Sequence, residues 1–262
     1  MLIAFEGVDK SGKETQANLL IDRLRREHKN AKKVEFPNYQ SEASGAVKMY
    51  LNGDFGENPD EVNPYAASVF FAVDRYASYK TEWNAFHQAG GIIVADRYTM
   101  SNMIHQGAKF TDALERQKFI EWLIDLEFVK IGLPKPDIVI FLDLSMVLRT
   151  KLLEKELNDK IKTGTPDVLT AVKMETPAAR LITDIEKPII QPIISGAHTP
   201  KRGGDIHERD LEYLRRAHIC AREIAAQFGW KRINAEHGGV LRPALDIHEE
   251  IYETIAPFIA MK

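Results

Sequence analysis

A glycine-rich segment near the start of the chain carries the residues best suited to phosphate chemistry. An apolar run at 2–5 leads into Gly7, four further residues, Gly12 and Lys13, and an amphipathic stretch follows at 14–26. Glycines let the backbone bend so that several N–H groups point inward, and a helix N-terminus adds partial positive charge. Lys13 adds a full charge that can reach the outer phosphates of a nucleotide. The predicted nucleotide-binding loop consists of Gly7, Val8, Asp9, Lys10, Ser11, Gly12, Lys13, Glu14 and Thr15.

The residue after this lysine departs from the usual pattern, in which a Ser or Thr hydroxyl binds Mg²⁺. Here the position is Glu14, and the hydroxyl comes one residue later, at Thr15. Two roles stay open for Glu14. It is either a metal ligand, directly or through water, or a solvent-facing acid that the helix dipole favours in a first turn. We favour the second role.

A second candidate group, Asp96-Arg97-Tyr98, directly follows an apolar run. A carboxylate at a strand end beside a phosphate loop is where such enzymes hold Mg²⁺ or its waters. The neighbouring arginine can bind a phosphate through two parallel hydrogen bonds. An ion pair that merely closes the strand is the alternative. Because Lys13 is expected in the same crevice, we favour the metal for Asp96 and a phosphate for Arg97.

Phe71 and Arg75 lie four residues apart in a predicted helix and therefore share one face. A ring beside a guanidinium can stack on a flat base and hydrogen-bond its edge. Taken alone, the pair favours the alternative, in which Phe71 is core and Arg75 pairs with a surface acid. The polar segment 100–109 adds further donors and acceptors, from Ser101, His105 and Gln106.

The composition limits the class of protein. The chain has 262 residues, 44% of them hydrophobic and 28% charged, with a net charge of −3. This is ordinary for a globular domain, and it supplies no basic field for nucleic acid. No run approaches the roughly 20 apolar residues of a membrane span. Cys220 is the single cysteine, so a reducing, cytoplasmic location is expected.

Short apolar runs alternate with longer amphipathic ones, which predicts an α/β fold with a parallel sheet and helices on both faces. The predicted strands are 2–5, 33–36, 91–95, 137–143 and 230–234. The predicted helices are 13–26, 43–51, 64–89, 111–131, 146–158, 205–228 and 244–258. Ligands bind beyond the carboxyl ends of the strands in such sheets, so the phosphate loop and the segment after residue 95 should face one crevice.

Residues 160–204 differ from the rest of the chain, because prolines recur there and the apolar residues follow no regular helical or strand spacing. Long loops in compact domains are usually lids or binding loops. We predict an enlarged lid insertion at 160–204 within a single domain that spans 1–262. Lys201 and Arg202 are cations of the kind that a lid brings over phosphates, although a solvated basic loop is the alternative.

The ordered set of motifs resembles the thymidylate kinases, which are nucleoside monophosphate kinases of the P-loop class. The resemblance covers nearly everything outside 160–204, and only the ordered set is specific. It implies a three-layer α/β/α P-loop fold with a five-stranded parallel sheet. The matching motifs are Phe5 to Gln16, Phe36-Pro37, Tyr50-Leu51, Phe71 to Arg75, Asp96 to Tyr98, Gln106 to Lys109, Gly132 to Asp137 and Phe141-Leu142.

The resemblance implies a role for each matching residue. The loop and Lys13 would hold the ATP phosphates, Lys10 would reach toward them, and Asp9 would contact the sugar hydroxyl of the acceptor. Phe71 would stack on thymine and Arg75 would bond the base edge. Arg97 would bind the acceptor phosphate and Asp96 would serve the metal. Further contacts are implied for Phe36, Ser101, His105 and Gln106 with the acceptor, for Arg149 with adenine, and for Arg202 in the lid.

The chain departs from the family pattern in its longer lid and at three positions, one of which is Lys10, where some members carry an arginine better suited to phosphate contacts. Tyr39 stands where many members place an arginine on the acceptor phosphate, so Arg97 carries more of that load. His105 stands where members have Tyr or Phe against the deoxyribose, which affects exclusion of the 2′-hydroxyl.

We predict transfer of the γ-phosphoryl of ATP to dTMP with Mg²⁺, and the resemblance to the family implies a homodimer. A kinase for another pyrimidine nucleotide or nucleoside is the first alternative, motivated by Tyr39 and His105. The second is a nucleotide-binding regulator without catalysis, motivated by Glu14.

Overall fold

Five parallel strands form the central sheet, in the order β2-β3-β1-β4-β5. The computed structural model describes residues 1–162 and 205–260. The strands are β1 (Leu2–Gly7), β2 (Ala31–Glu35), β3 (Ile92–Asp96), β4 (Ile138–Asp143) and β5 (Lys231–Asn234). The predicted α/β class and all five strands are confirmed, with ends that differ by one or two residues. A two-stranded hairpin, β6 (Glu236–His237) with β7 (Val240–Leu241), was not predicted.

Ten α-helices are described in the two ranges. They are α1 (Lys13–Arg26), α2 (Gly45–Asn52), α3 (Pro64–Ser78), α4 (Asn84–Gln88), α5 (Thr99–His105), α6 (Ala113–Ile124), α7 (Met146–Lys162), α8 (Ile206–Arg209), α9 (Leu211–Gln227) and α10 (Ala244–Ala260). Single π-turns at Tyr79–Trp83 and Asp125–Lys130 follow α3 and α6. No helix in the described ranges is long and apolar enough to cross a membrane.

Both faces of the sheet are buried, as the apolar strands predict. In β1, Leu2 and Ala4 pack into the core on one face, and Ile3 and Phe5 pack into the core on the other. The first core includes residues of α5, α6 and α9, whereas the second includes residues of α1 and α10. The sheet is therefore a rigid middle layer that fixes the loops at its carboxyl edge.

The sheet register places the two predicted chemical groups side by side. Phe5 pairs with Asp96 in the β1–β3 ladder, and the Arg97 N–H donates to the Phe5 carbonyl at 3.0 Å. The phosphate loop leaves β1 two residues later. Asp96 and Arg97 must therefore lie next to the loop, as the crevice prediction requires.

Two sequence predictions need correction. The segment 100–109 overlaps the short helix α5, which begins at Thr99 and which the sequence did not predict. The predicted helix 205–228 is interrupted at Asp210, whose side chain accepts from the Tyr213 N–H at 2.9 Å and starts α9. The greater part of the predicted insertion, with Lys201 and Arg202, lies outside the described residues.

Candidate active site

A cleft of about 380 Å³ opens at the carboxyl edge of the sheet. Its lining includes Asp9 and Glu14 of the loop region and Asp96 and Arg97 after β3, which we call the charged end. It also includes aromatic and imidazole side chains, which we call the uncharged end. Charged and flat groups in one cleft suit a phosphorylated ligand with a flat organic group.

The loop has a backbone that only glycine adopts easily at two points. Gly7 has φ +149°, and a Cβ there would lie 2.5 Å from the Leu142 carbonyl oxygen and 2.8 Å from Ser11 Oγ. Gly12 has φ +88° at the position before α1. The glycines therefore let the loop pass close to β4 and turn into the helix, as the phosphate-loop prediction supposes.

Lys13 lies in the wall of this loop with only 7% of its surface exposed. Its Nζ donates to the Val8 carbonyl at 2.9 Å, which holds the ammonium over the loop. Burial, together with the positive charge of Arg97, lowers the pKa of Lys13 to about 8. The side chain is therefore a charged donor that gains from a phosphate partner.

Asp9 joins two arginines from different elements. Its carboxylate forms an ion pair with Arg97, and Arg149 Nη2 of α7 lies 3.8 Å from its other oxygen. Burial would raise the pKa of Asp9, but the charges of Arg97 and Lys13 outweigh burial and hold it well below its usual value. Arg97 also has φ +65°, an uncommon conformation for arginine. Three cations, Arg97, Arg149 and Lys13, thus act on the Asp9 carboxylate.

Asp96 and Glu14, the two predicted metal residues, both line the charged end. Glu14 is exposed in the first turn of α1, and Thr15 beside it is also exposed. In residues 1–162 and 205–260, no three His, Cys, Asp or Glu side chains are grouped to hold a metal. Because Mg²⁺ in phosphoryl-transfer sites needs only one or two carboxylates with the substrate phosphates, the donor set fits that ion.

Glu6, a buried acid of β1, fixes the segment after β3. Its Oε1 accepts from the Tyr98 N–H at 2.9 Å and its Oε2 accepts from Ser101 Oγ at 2.7 Å. Burial raises its pKa, although these hydrogen bonds and Arg97 oppose the rise. Sequence reasoning missed this residue; the signal was a charged residue inside an apolar strand.

Arg75 and Phe71 of α3 reach the uncharged end of the cleft. Arg75 forms two hydrogen bonds with Glu127, Nε to Oε2 at 2.8 Å and Nη2 to Oε1 at 2.5 Å. Both side chains are almost fully buried. The partner acid of Arg75 is therefore present, but it lies in the interior and not on the surface, and Arg75 still lines the cleft. Phe71 is half-buried and packs edge-on against Tyr50, with ring centroids 6.0 Å apart.

His105 forms a stacked pair with His207 of α8, with ring centroids 5.1 Å apart and planes 8° apart. Both rings line the cleft. Burial and the charge of Arg97 lower the pKa of His105 to about 3, so this imidazole is neutral. His207 was not among the predicted site residues.

Comparisons with known proteins place the chain in one family. The family model for thymidylate kinase matches residues 5–191. Thymidylate kinase of Mycobacterium tuberculosis is 33% identical over 231 residues, which cover 88% of this chain and 87% of the relative. Human thymidylate kinase is 30% identical over 145 residues, 55% of this chain and 61% of the relative. The chain belongs to the thymidylate kinase family.

Solved structures of thymidylate kinases share the fold. The Ehrlichia chaffeensis enzyme has a TM-score of 0.58 at 17% identity and covers 97% of this chain and 98% of its own. The Candida albicans enzyme has a TM-score of 0.61 at 20% identity and covers 100% and 93%. At these identities the likeness concerns the fold, which is the predicted three-layer P-loop architecture.

The structure brings most of the predicted thymidylate kinase site together. The residues lining the cleft include Asp9, Glu14, Phe36, Phe71, Arg75, Asp96, Arg97, Ser101 and His105. Tyr39 also lines the cleft and is 51% exposed. Lys10 is exposed on the loop, with φ +67°. The predicted catalytic residue Arg202 lies outside the described residues.

Two predicted residues lie elsewhere. Gln106 is fully buried and does not line the cleft; its Nε2 lies 3.4 Å from the Tyr50 hydroxyl. Arg149 is 2% exposed with its guanidinium beside Asp9, so the structure does not support a free face for stacking on adenine. Both side chains are drawn inward by polar partners that the sequence pattern could not place.

Proposed function

We propose that this chain transfers the γ-phosphoryl group of ATP to the 5′-phosphate of dTMP, giving dTDP. The observation that carries the proposal is one cleft lined by Asp9, Arg97, Phe71 and Arg75, with Lys13 of the loop near enough to Asp9 and Arg97 for their charges to shift its pKa. Membership of the thymidylate kinase family supports the same acceptor.

The charged end supplies position and electrostatic stabilisation. The acceptor phosphate already carries an oxyanion, so the reaction needs no strong general base. The loop and Lys13 bind the donor phosphates, while Arg97 binds the acceptor phosphate from the opposite side. Asp9 holds Arg97 in place beforehand, which lowers the reorganisation needed when the two phosphates meet.

The uncharged end selects the nucleoside. Phe71 offers a ring face for stacking, and Arg75 keeps its guanidinium at the cleft wall because Glu127 holds two of its nitrogens. A base in this cleft is therefore recognised by a rigid pair of groups. Ser101 lies nearby but is already bonded to Glu6.

Mg²⁺ is the metal that we propose for the charged end, with Asp96 as its main protein contact and Glu14 as an exposed second acid. When bound, Mg²⁺ neutralises charge on the donor phosphates. Asp96 lies at the end of β3, and the pairing of β3 with β1 sets its distance from the loop.

We also propose a homodimer, on the evidence of an exposed apolar stripe on α3. Val69, Val73 and Tyr76 are 40%, 51% and 39% exposed and recur on one face of the helix. The test is the solution mass by analytical ultracentrifugation. Val73→Glu should give a monomer, whereas Leu245→Glu, at a 65% exposed position of α10, should not. A monomeric parent protein would contradict the proposal.

We also propose a cytoplasmic location, because the chain has a single cysteine, Cys220.

The test of the activity is ADP release with MgATP and each of dTMP, dUMP, UMP, CMP and thymidine. Turnover led by dTMP is expected, and Lys13→Ala should abolish it. Lys29→Ala removes an exposed lysine three residues beyond the end of α1 and should leave the rate unchanged. Faster turnover with another acceptor would show that the enzyme's substrate is that acceptor and not dTMP. Binding of ATP without turnover on any acceptor would instead favour the regulator.

A further inference from the structure

A buried polar cluster lies behind the uncharged end of the cleft, centred on the Tyr50 hydroxyl. Its oxygen lies 2.8 Å from His207 Nε2, 3.1 Å from Lys109 Nζ and 3.4 Å from Gln106 Nε2. Tyr50 and Gln106 are fully buried, and His207 is 7% exposed. The cluster thus joins α2, the segment after α5, and α8.

The donors around this hydroxyl decide where its proton points. A protonated lysine and an amide NH₂ can only donate, and a phenol oxygen accepts two hydrogen bonds while its O–H donates one. Lys109 and Gln106 therefore donate to Tyr50, whose own proton is left for His207 Nε2. Because neutral imidazole carries one proton, His207 must hold that proton on Nδ1.

The histidine pair presents a neutral surface to the cleft. The charged groups near it are Asp9 and Arg97 from the charged end, Lys109 beside Tyr50, and Asp205, whose carboxylate accepts from the His207 backbone N–H at 2.8 Å. Burial, with His105 and Lys109 nearby, lowers the pKa of His207 well below its usual value. In the described part of the chain, no hydrogen bond occupies His207 Nδ1. The N–H at Nδ1 of His207 is therefore left to donate to a ligand.

We propose that His207 determines specificity in the acceptor site, donating from Nδ1 to an uncharged oxygen of the bound nucleotide, with Tyr50 and Lys109 as positioning residues. The inference deepens the proposed function and rests on it for the choice of ligand. The oxygen belongs either to the sugar or to the base, and the binding experiment distinguishes these two sources.

The first experiment records ring ¹⁵N spectra of histidine-labelled protein at pH 6, below the pKa of about 7 that burial gives Lys109. His207→Phe assigns the signal. We expect a protonated Nδ1 and a bare Nε2 in the free protein, and loss of this preference in Tyr50→Phe. The opposite tautomer in the parent protein would overturn the hydrogen-bond chain, whatever the enzyme's activity.

The second experiment measures dTMP binding by calorimetry without ATP. Loss of one neutral hydrogen bond predicts about 2- to 10-fold weaker binding for His207→Phe, with ATP affinity unchanged. Tyr50→Phe should act in the same direction, and the double variant should be no worse than His207→Phe alone. The matched control is Tyr252→Phe, which removes an exposed hydroxyl bonded to Glu27 and should have no effect.

The ligand series then identifies the oxygen. If 2-deoxyribose 5-phosphate shows the same loss in His207→Phe as dTMP does, the sugar is the partner; if it shows none, the base is. Unchanged dTMP affinity in His207→Phe, or additive effects in the double variant, would overturn the inference. No dTMP binding by the parent protein would overturn the proposed function and the ligand contact, while the tautomer result would still stand by itself.

Discussion

The Arg75–Glu127 pair allows a sharp test of how the nucleoside end is built, by the change Glu127→Gln. The substitution keeps the shape of the side chain and removes its charge. It leaves the guanidinium of Arg75, 1% exposed, without its counter-ion and turns an amide toward its donors. It also perturbs Thr99, whose Oγ1 donates to Glu127 Oε2 at 2.7 Å.

The expected magnitude follows from burial. Removing one partner of a buried ion pair costs about 3–5 kcal/mol, because the remaining charge stays out of water. For a chain of this size, about 1 kcal/mol corresponds to roughly 2–4 °C in Tm, so a fall of roughly 6–20 °C is expected. Urea unfolding followed by circular dichroism measures the free energy, provided that the slope m is unchanged.

Two variants separate this explanation from a general loss of charge. Glu115→Gln removes an exposed acid that pairs with Lys118, and should cost less than about 1 kcal/mol. The double variant Arg75→Met with Glu127→Leu replaces both charges by apolar groups and should recover most of the stability, while dTMP binding stays weak. A cost for Glu127→Gln no larger than that of Glu115→Gln would refute the reasoning.

Three further predictions concern single groups. Phe71→Ala should raise the KM for dTMP, since stacking on a base is worth about 1–3 kcal/mol; an unchanged KM would assign Phe71 to packing against Tyr50. The kcat/KM for ATP should fall as the pH rises above the Lys13 pKa of about 8, and Lys13→Arg should move this fall to higher pH. A pH profile that Lys13→Arg leaves unchanged would show that Lys13 is not the group that titrates. The Lys109 pKa of about 7 is below its unfolded value of about 10.4, so the folded state binds fewer protons between these values and stability should rise with pH there. Lys109→Met should reduce that slope in urea unfolding, and an unchanged slope would contradict the burial argument.

The phosphate end was predictable because its signals are local. Strand, glycines, lysine and helix follow one another within 26 residues, and α1 has the predicted bounds. The apolar strands also fix the sheet, which brings Asp96 and Arg97 beside the loop. The short helix α5 was not predictable in this way, because seven residues are too few to show a period and its inward polar groups resemble a loop.

The nucleoside end was harder because its partners are distant in sequence. Glu127 lies 52 residues from Arg75, and His207 lies 157 residues from Tyr50. No spacing rule links such residues, so the sequence showed Arg75 without its acid and His105 without its stacking partner. A π-turn at Asp125–Lys130, which contains Glu127, also follows no simple helical period.

The division of charge along the cleft explains how a chain of net charge −3 can bind a polyanion. No overall field attracts the phosphates, so the attraction must come from Lys13, Arg97 and Arg149, which converge on Asp9. Since Asp9 holds these cations in place without a ligand, incoming phosphates meet oriented charges and need little reorganisation. Because His105 and His207 are neutral, they add no cation beside this group, and the anionic part of the ligand is drawn to the loop.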